Sequence, residues 1–210
     1  MKACWGRHSR NGSKTEAGGA VDVKTILDTE AMHEDLSPYC RKALENGASH
    51  VRVIHPSLVV TAPWVRWKCQ FGCPGYGMGY CCPPHTPTHE QTRALLDSYH
   101  RAILFHIEAP AAADRGKRYR AYMEMLVELE GGLFKDGYYK AFVFLAGPCL
   151  LCKKCGKLSG VSCLHGDRAR PAMEACGIDV FQTARNNGFF IETLRVKEQT
   201  NNEYCLMMVD

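Results

Sequence analysis

Eight of the twelve cysteines in this 210-residue chain fall in two short stretches, "CQFGCPGYGMGYCCPPH" (69–85) and "CLLCKKCGKLSGVSCLH" (149–165). Glycine, proline and aromatic residues surround the first of them. Little of it can pack as a helix or a regular strand, because glycine loses the most conformational freedom on ordering and proline removes a backbone donor. Both stretches are therefore expected to be loops, at 66–90 and 147–168, that need something other than their own packing to order them.

The rest of the chain has no such need. With 46% hydrophobic and 23% charged residues, it can bury a proper core without crosslinks. One α+β domain over 21–210 is expected, a mixed sheet flanked by helices, after a polar, flexible arm at 1–20. A net charge of +4 without a dense Lys/Arg stripe does not imply nucleic acid. No run of apolar residues suits a signal peptide or a membrane span, so no membrane insertion is expected and the cytoplasm is favoured. In a reducing compartment, clustered cysteines are metal ligands or reactive thiols more often than disulfides.

Local patterns sketch the elements. Ser37–Asn46 reads as a helix with Ser37 as N-cap, Pro38 at its first position and Gly47 at its end. "VRVIHPSLVVTAPWVRW" is rich in β-branched residues and broken by Pro56 and Pro63, which suggests short strands or one interrupted edge strand. Thr88 and Gln91 make a capping box for a helix that runs into a strand over Ile103–Ile107. Tyr119, Tyr122, Met123, Leu126 and Leu129 recur at helical spacing as core packing, and Ala141–Leu145 suits a buried strand. "RPAMEACGIDVFQTARNNGFF" reads as a helix, with "FIETLRV" and "YCLMMVD" as a terminal hairpin.

Spacing in the second loop is the more specific signal. Cys149, Cys152 and Cys155 lie at C-x2-C-x2-C, and Cys163 follows after seven residues. Three thiolates two residues apart suit one iron–sulfur cube, whose fourth iron takes a remote cysteine. The economical assignment is one [4Fe–4S] cluster on Cys149, Cys152, Cys155 and Cys163. Zinc is the alternative, but Cys4 zinc sites usually pair two knuckles across a longer loop. A thiol–disulfide reading of the C-x-x-C pairs leaves cysteines idle.

In the first loop, Cys69, Cys73 and Cys82 are good ligands. Adjacent residues of an extended chain point apart, so Cys81 is expected to be spare. Cys81, His85, Cys40 and Cys176 all stay open as the fourth ligand. A three-cysteine cube with an open iron could hold substrate, whereas a closed one would carry electrons. A Rieske arrangement using His85 and His165 would break the better motif. Cys4, Cys40, Cys176 and Cys205 stand alone, and the default for each is a small buried hydrophobe.

Three ordered blocks, "TAPWVRWKCQFGCPGYGMGYCCPPHTPTHEQTR", "GPCLLCKKC" and "CLHGDRARPAMEACGIDVFQTARNNGF", resemble those of a bacterial and archaeal family of predicted metal-binding proteins, the domain of unknown function 2284. The resemblance implies Cys69, Cys73, Cys82, Cys149, Cys152, Cys155 and Cys163 as ligands, iron–sulfur chemistry and an oxygen-sensitive, anaerobic setting. Cys81 and Gly166 depart from that pattern. The expected function is electron transfer within, or to, a larger redox system, with Lys153 and Lys154 helping to dock a redox partner protein. The rivals are an enzyme whose open-iron cluster at Cys69/Cys73/Cys82 binds a small substrate, and a zinc-bound structural or interaction module.

Overall fold

Two eight-residue runs dominate the architecture. Ala102–Ala109 (β2) and Asn201–Met208 (β4) lie antiparallel over their full length, from Ala102 opposite Met208 to Ala109 opposite Asn201. Both read as nearly unbroken apolar stretches where they cross the middle of the sheet, because both of their faces are covered. His50–Ile54 (β1) pairs with β2 and Phe142–Phe144 (β3) pairs with β4, each antiparallel, giving the order β1-β2-β4-β3. The computed structural model describes residues 33–109, 114–196 and 198–210. The arm expected over 1–20, and Cys4, lie outside the described residues.

Among the described residues, five α-helices complete an α+β fold: α1 (Ser37–Glu45), α2 (Pro63–Gly72), α3 (His89–Leu96), α4 (Arg115–Lys135) and α5 (Val180–Asn186). One face of the sheet, with Ile103, Phe105, Cys205 and Met207, packs on Leu36, Ala43, Leu126, Leu129 and Leu133 of the α1 and α4 side. The opposite face, with Leu104, Phe144, Leu206 and Met208, packs on Val59, Leu96, Met173, Ile178 and Ala184. The stripe Tyr122, Met123, Leu126 and Leu129 is core, as its spacing predicts. No helix among the described residues is long and apolar enough to cross a membrane.

The sheet is antiparallel throughout rather than mixed. Strands β2 and β3 do run parallel to each other, joined by α4 as a crossover, but β4 lies between them and is antiparallel to both. No terminal hairpin forms. Residues 190–196 contain no strand, and β4 spends its hydrogen bonds on β2 and β3 instead.

Two further segments depart from expectation. "PWVRWKCQFG" is helix α2, because Pro63 at its first position pre-sets helical φ where its missing N–H costs nothing. The "RPAMEACGIDVF" block is not one helix. A 3-10 turn at Glu174–Cys176 stops at Gly177, whose φ is +80°, and α5 starts afresh with the Asp179 carboxylate accepting from Gln182 N–H. A Cβ on Gly177 would come within 2.7 Å of His89 Cβ, so the break is fixed by the close approach of α3. Ser37, expected as the cap of the first helix, is instead its first residue: Leu36 precedes it with helical dihedrals and no side-chain cap, so Pro38 stands second. Elsewhere the expected boundaries are met closely. The capping box at Thr88 is complete, with Gln91 N–H donating to Thr88 and Thr88 N–H to the Gln91 side chain, and Gly47 ends α1 at φ +114°.

Candidate metal centre

The first loop grows out of α2. Cys69 sits in its last turn and Cys73 caps it, with Cys73 N–H donating to Cys69 O at 3.2 Å. From there the chain turns on short bonds: Tyr76 N–H to Cys73 O, Gly77 N–H to Pro83 O, Cys82 N–H to Gly79 O and His85 N–H to Cys82 O. In the second loop, Cys155 leads into a 3-10 turn at Gly156–Ser159, closed by Val161 N–H donating to Gly156 O.

These loops, some seventy residues apart in sequence, fold onto one another. Tyr80 Oη donates to Val161 O at 2.9 Å. A Cβ added to Gly79 would stand 3.8 Å from Cys155 Sγ. The Cys81 thiol donates to the Cys149 sulfur, which raises Cys81 far above the ordinary thiol range and lowers Cys149 to about 6. Leu151 N–H and the nearby His165 add to the lowering of Cys149. Cys81, set aside as spare on sequence spacing, therefore faces the second loop.

Its neighbour lies among thiols of both loops. Cys82 lies in the field of Cys73, Cys149 and Cys155, and Cys69 in that of Cys73, Glu174 and Cys82. Burial is the largest cause that raises the thiols of Cys69, Cys82 and Cys152, and mutual repulsion between neighbouring thiolates adds to it. Thiolates crowded in this way repel one another, and a coordinated cation is what offsets such repulsion. All eleven described cysteines are unpaired, and the eight in the loops are half-buried or exposed. An all-sulfur donor set of this kind suits zinc or iron–sulfur centres.

The candidate fourth ligands separate on position. Cys40 packs against the α1–α4 core, while Cys176 and Cys205 are fully buried within the two cores, as lone cysteines should be. The His85 ring makes an edge contact with Tyr80.

Three residues that sequence reasoning did not single out fasten the site to the fold. Arg66 Nη1 reaches Thr86 O, Thr86 Oγ1, Pro87 O and Ala175 O at 2.6–3.2 Å, tying α2 and the end of the first loop to the 174–176 turn. Thr86 Oγ1 also donates to Ala175 O at 2.5 Å. Glu130, on α4, accepts three charge-assisted bonds from Arg170 and one from Val143 N–H, and the Arg170 charge lies near Cys81. Neither Arg66 nor Glu130 belongs to a spacing motif; only their charge within otherwise apolar neighbours marks them.

Beside the thiols opens a cleft of about 910 Å³, lined by Cys69, Cys73, Trp64, Glu174, Arg185 and Asn202 among others. Glu174 opens into it, and the protein walling the recess raises its carboxyl pKa.

No curated protein and no solved structure matched the chain. The family model described as predicted metal-binding protein (DUF2284) matches residues 52–209, a span that takes in both cysteine loops and the Arg66 and Glu130 anchors. By that match over most of its length, the chain belongs to the DUF2284 family of predicted metal-binding proteins.

Proposed function

We propose that this chain is an iron–sulfur protein that carries electrons to a partner protein, and that its eight loop thiols hold two [4Fe–4S] centres. The observation that supports the reading is the pair Cys81–Cys82: Cys81 lies in the field of Cys149 and Cys163, and Cys82, though also near Cys149, in that of Cys73 and Cys155. Eight thiols match two cubes of four ligands each. The centres are then shared between the loops, with Cys69, Cys73, Cys82 and Cys155 on one and Cys81, Cys149, Cys152 and Cys163 on the other. Adjacent Cys81 and Cys82 thus serve different centres, and no cysteine of the two loops is spare.

When bound, such centres supply one-electron transfer at a potential set by their hydrogen bonds, net charge and exposure. The chain contributes those settings. Leu151 N–H donates to Cys149, and the Arg170 guanidinium offsets negative charge near Cys81. Around the loops, Phe71, Leu164 and Trp67 are 80%, 77% and 66% exposed, and Lys153 and Lys154 are exposed between the ligands. Apolar contacts ringed by cations suit a transient, acidic redox partner. A reducing, oxygen-poor cytoplasm is the setting in which such thiols stay competent.

The test is metal and acid-labile sulfide per chain in protein purified without oxygen. About eight of each are expected. Zinc without sulfide would replace this reading with a zinc-bound interaction module.

The cleft beside Cys69 and Cys73 favours a second reading, an enzyme whose open iron takes a small substrate at Cys69/Cys73/Cys82. It requires that Cys155 leave that centre three-liganded. An EPR signal at that centre that shifts when small carboxylates are added would select the enzyme.

A further inference from the structure

Strand β3 stops short, and the cleft beside Cys69 and Cys73 opens where it leaves off. β3 pairs with β4 only from Leu206 to Met208. Beyond Phe144 the chain turns aside: Leu145 N–H donates to Pro171 O, Leu145 O accepts from Met173 N–H, and Ala146, Gly147 and Pro148 line the cleft. The β4 residues Asn201–Tyr204, which a longer β3 would have covered, line it as well.

The direction of the main chain along this edge follows from the ladder. Val143 N–H donates to Glu130, away from β4, so Phe142 and Phe144 turn their main chains to β4, where they meet Met208 and Leu206. By the same alternation Asn202 and Tyr204 turn theirs to the side that Leu206 faces. Tyr204 is buried, whereas Asn202 is half-buried and opens into the cleft. Among the described residues, no main-chain bond reaches Asn202 from that side. The edge is held firmly: His106 Nε2 donates to Asn202 Oδ1 at 2.8 Å, and the buried His106 ring meets His50, Nδ1 to Nδ1, at 3.0 Å and stacks on Tyr204. An uncovered edge of this kind is a template for an added strand.

The charge of the cleft says what kind of strand it suits. Among the described residues four carboxylates line it, Glu174, Asp179, Glu192 and Glu203, against two cations, in a chain of net charge +4. Both cations lie on aromatic rings, Lys68 over Trp64 at 5.1 Å and Arg185 over Phe181 at 5.8 Å. Apart from a bond from its own main chain, the Glu174 carboxyl has no partner among the described residues, and the protein walling it in raises its pKa. A cation brought to it would reverse that rise. We propose that this cleft binds a short peptide in extended form, paired with β4 at Asn202, with a basic side chain or free amino end at Glu174 and apolar side chains against Ile178, Phe181 and Ile191. The proposal rests on the substrate-binding reading of the cleft only in taking it as a ligand site; it names the ligand and needs no open iron.

The experiment incubates the full chain, purified without oxygen, with a synthetic pool of pentapeptides randomised at every position, and identifies the retained peptides by mass spectrometry. Expected is enrichment of sequences that combine a basic residue with apolar ones. The best-retained peptide, remade with a fluorophore and followed by anisotropy, should bind Glu174→Gln roughly tenfold more weakly. Methylating its alternate backbone nitrogens, in one of the two possible frames, should also cost roughly tenfold, because this removes main-chain donors and no side chain. The methylation series uses the unaltered protein, so it stands even where the variant loses metal. No enrichment over a protein-free control, retention of acidic peptides instead, affinity unmoved by Glu174→Gln, or tolerance of methylation in both frames would each overturn the proposal. Peptide bound with the EPR signal unchanged would uphold it and count against the open-iron enzyme, whereas a signal shifted by small carboxylates in protein that retains no peptide would do the reverse.

Discussion

Replacing Arg170 with methionine tests how the second loop is fastened to the sheet. Arg170 and Glu130 are 15% and 10% exposed in their side chains, with Nη2 to Oε1 at 2.5 Å and Nε to Oε2 at 2.8 Å. Arg170→Met replaces the guanidinium over the Phe142 ring by an apolar side chain but strands a nearly buried carboxylate, whose one remaining donor among the described residues is Val143 N–H. Leaving one member of a buried pair uncompensated costs about 3–5 kcal/mol. Glu130→Gln in the same background removes the stranded charge and keeps an acceptor for Val143. The double variant should therefore recover most of the loss, a coupling on the order of 2–3 kcal/mol. Denaturant unfolding of the four proteins, loaded alike and compared at constant slope, measures it. If Arg170→Met cost under about 1 kcal/mol, the pair would be behaving like a surface ion pair, and the claim that it anchors the loop would be wrong.

The proposed sharing of two centres between the loops gives a sharp double-variant result. Cys69→Ser and Cys81→Ser should each remove about half the iron and the two together nearly all of it, whereas about four iron atoms retained in the pair would mean both thiols serve one cube. Gly177→Ala forces a Cβ to within 2.7 Å of His89 at φ +80° and should cost about 2 kcal/mol or more in unfolding free energy; a neutral result would show that α3 yields freely. Asp35 is partly buried, which alone would raise its carboxyl, but hydrogen bonds from Tyr138 and Arg101 outweigh this and hold it below its ordinary value. That stabilisation is complete above the unfolded pKa and is lost as pH falls through the folded one. Asp35→Asn should accordingly flatten the acid limb of the stability profile below about pH 4, and an unchanged limb would refute the assignment.

Much of the scaffold could be read from local pattern. The apolar runs of β2 and β4, the α4 stripe and the Thr88 capping box are signals in which side-chain period and cap chemistry agree with the tertiary environment. What escaped was decided at long range. Trp64, Val65 and Trp67 suggest a strand on β-preference, yet Pro63 starts a helix that buries Val65. The Arg170–Val180 block has helical period, yet the packing of Gly177 on His89 interrupts it. The cysteine runs were visible, but that the two loops meet, and that Cys81 therefore faces Cys149, depends on contacts such as Tyr80 to Val161 that no spacing encodes. The His50–His106 pair likewise exists only through the β1–β2 register.

Strand β4 has a bearing on the thiols that its distance from them conceals. It is the wedge that separates β2 from β3, and these strands follow and precede the first and second cysteine loops respectively. At about 4.8 Å per strand, one interposed strand sets a spacing near 10 Å between the two loop-bearing halves. A small distortion around Leu206 or Met207 would pull the jaws of the thiol grip out of step, so damage deep in the sheet would surface first as a protein that fails to keep its metal.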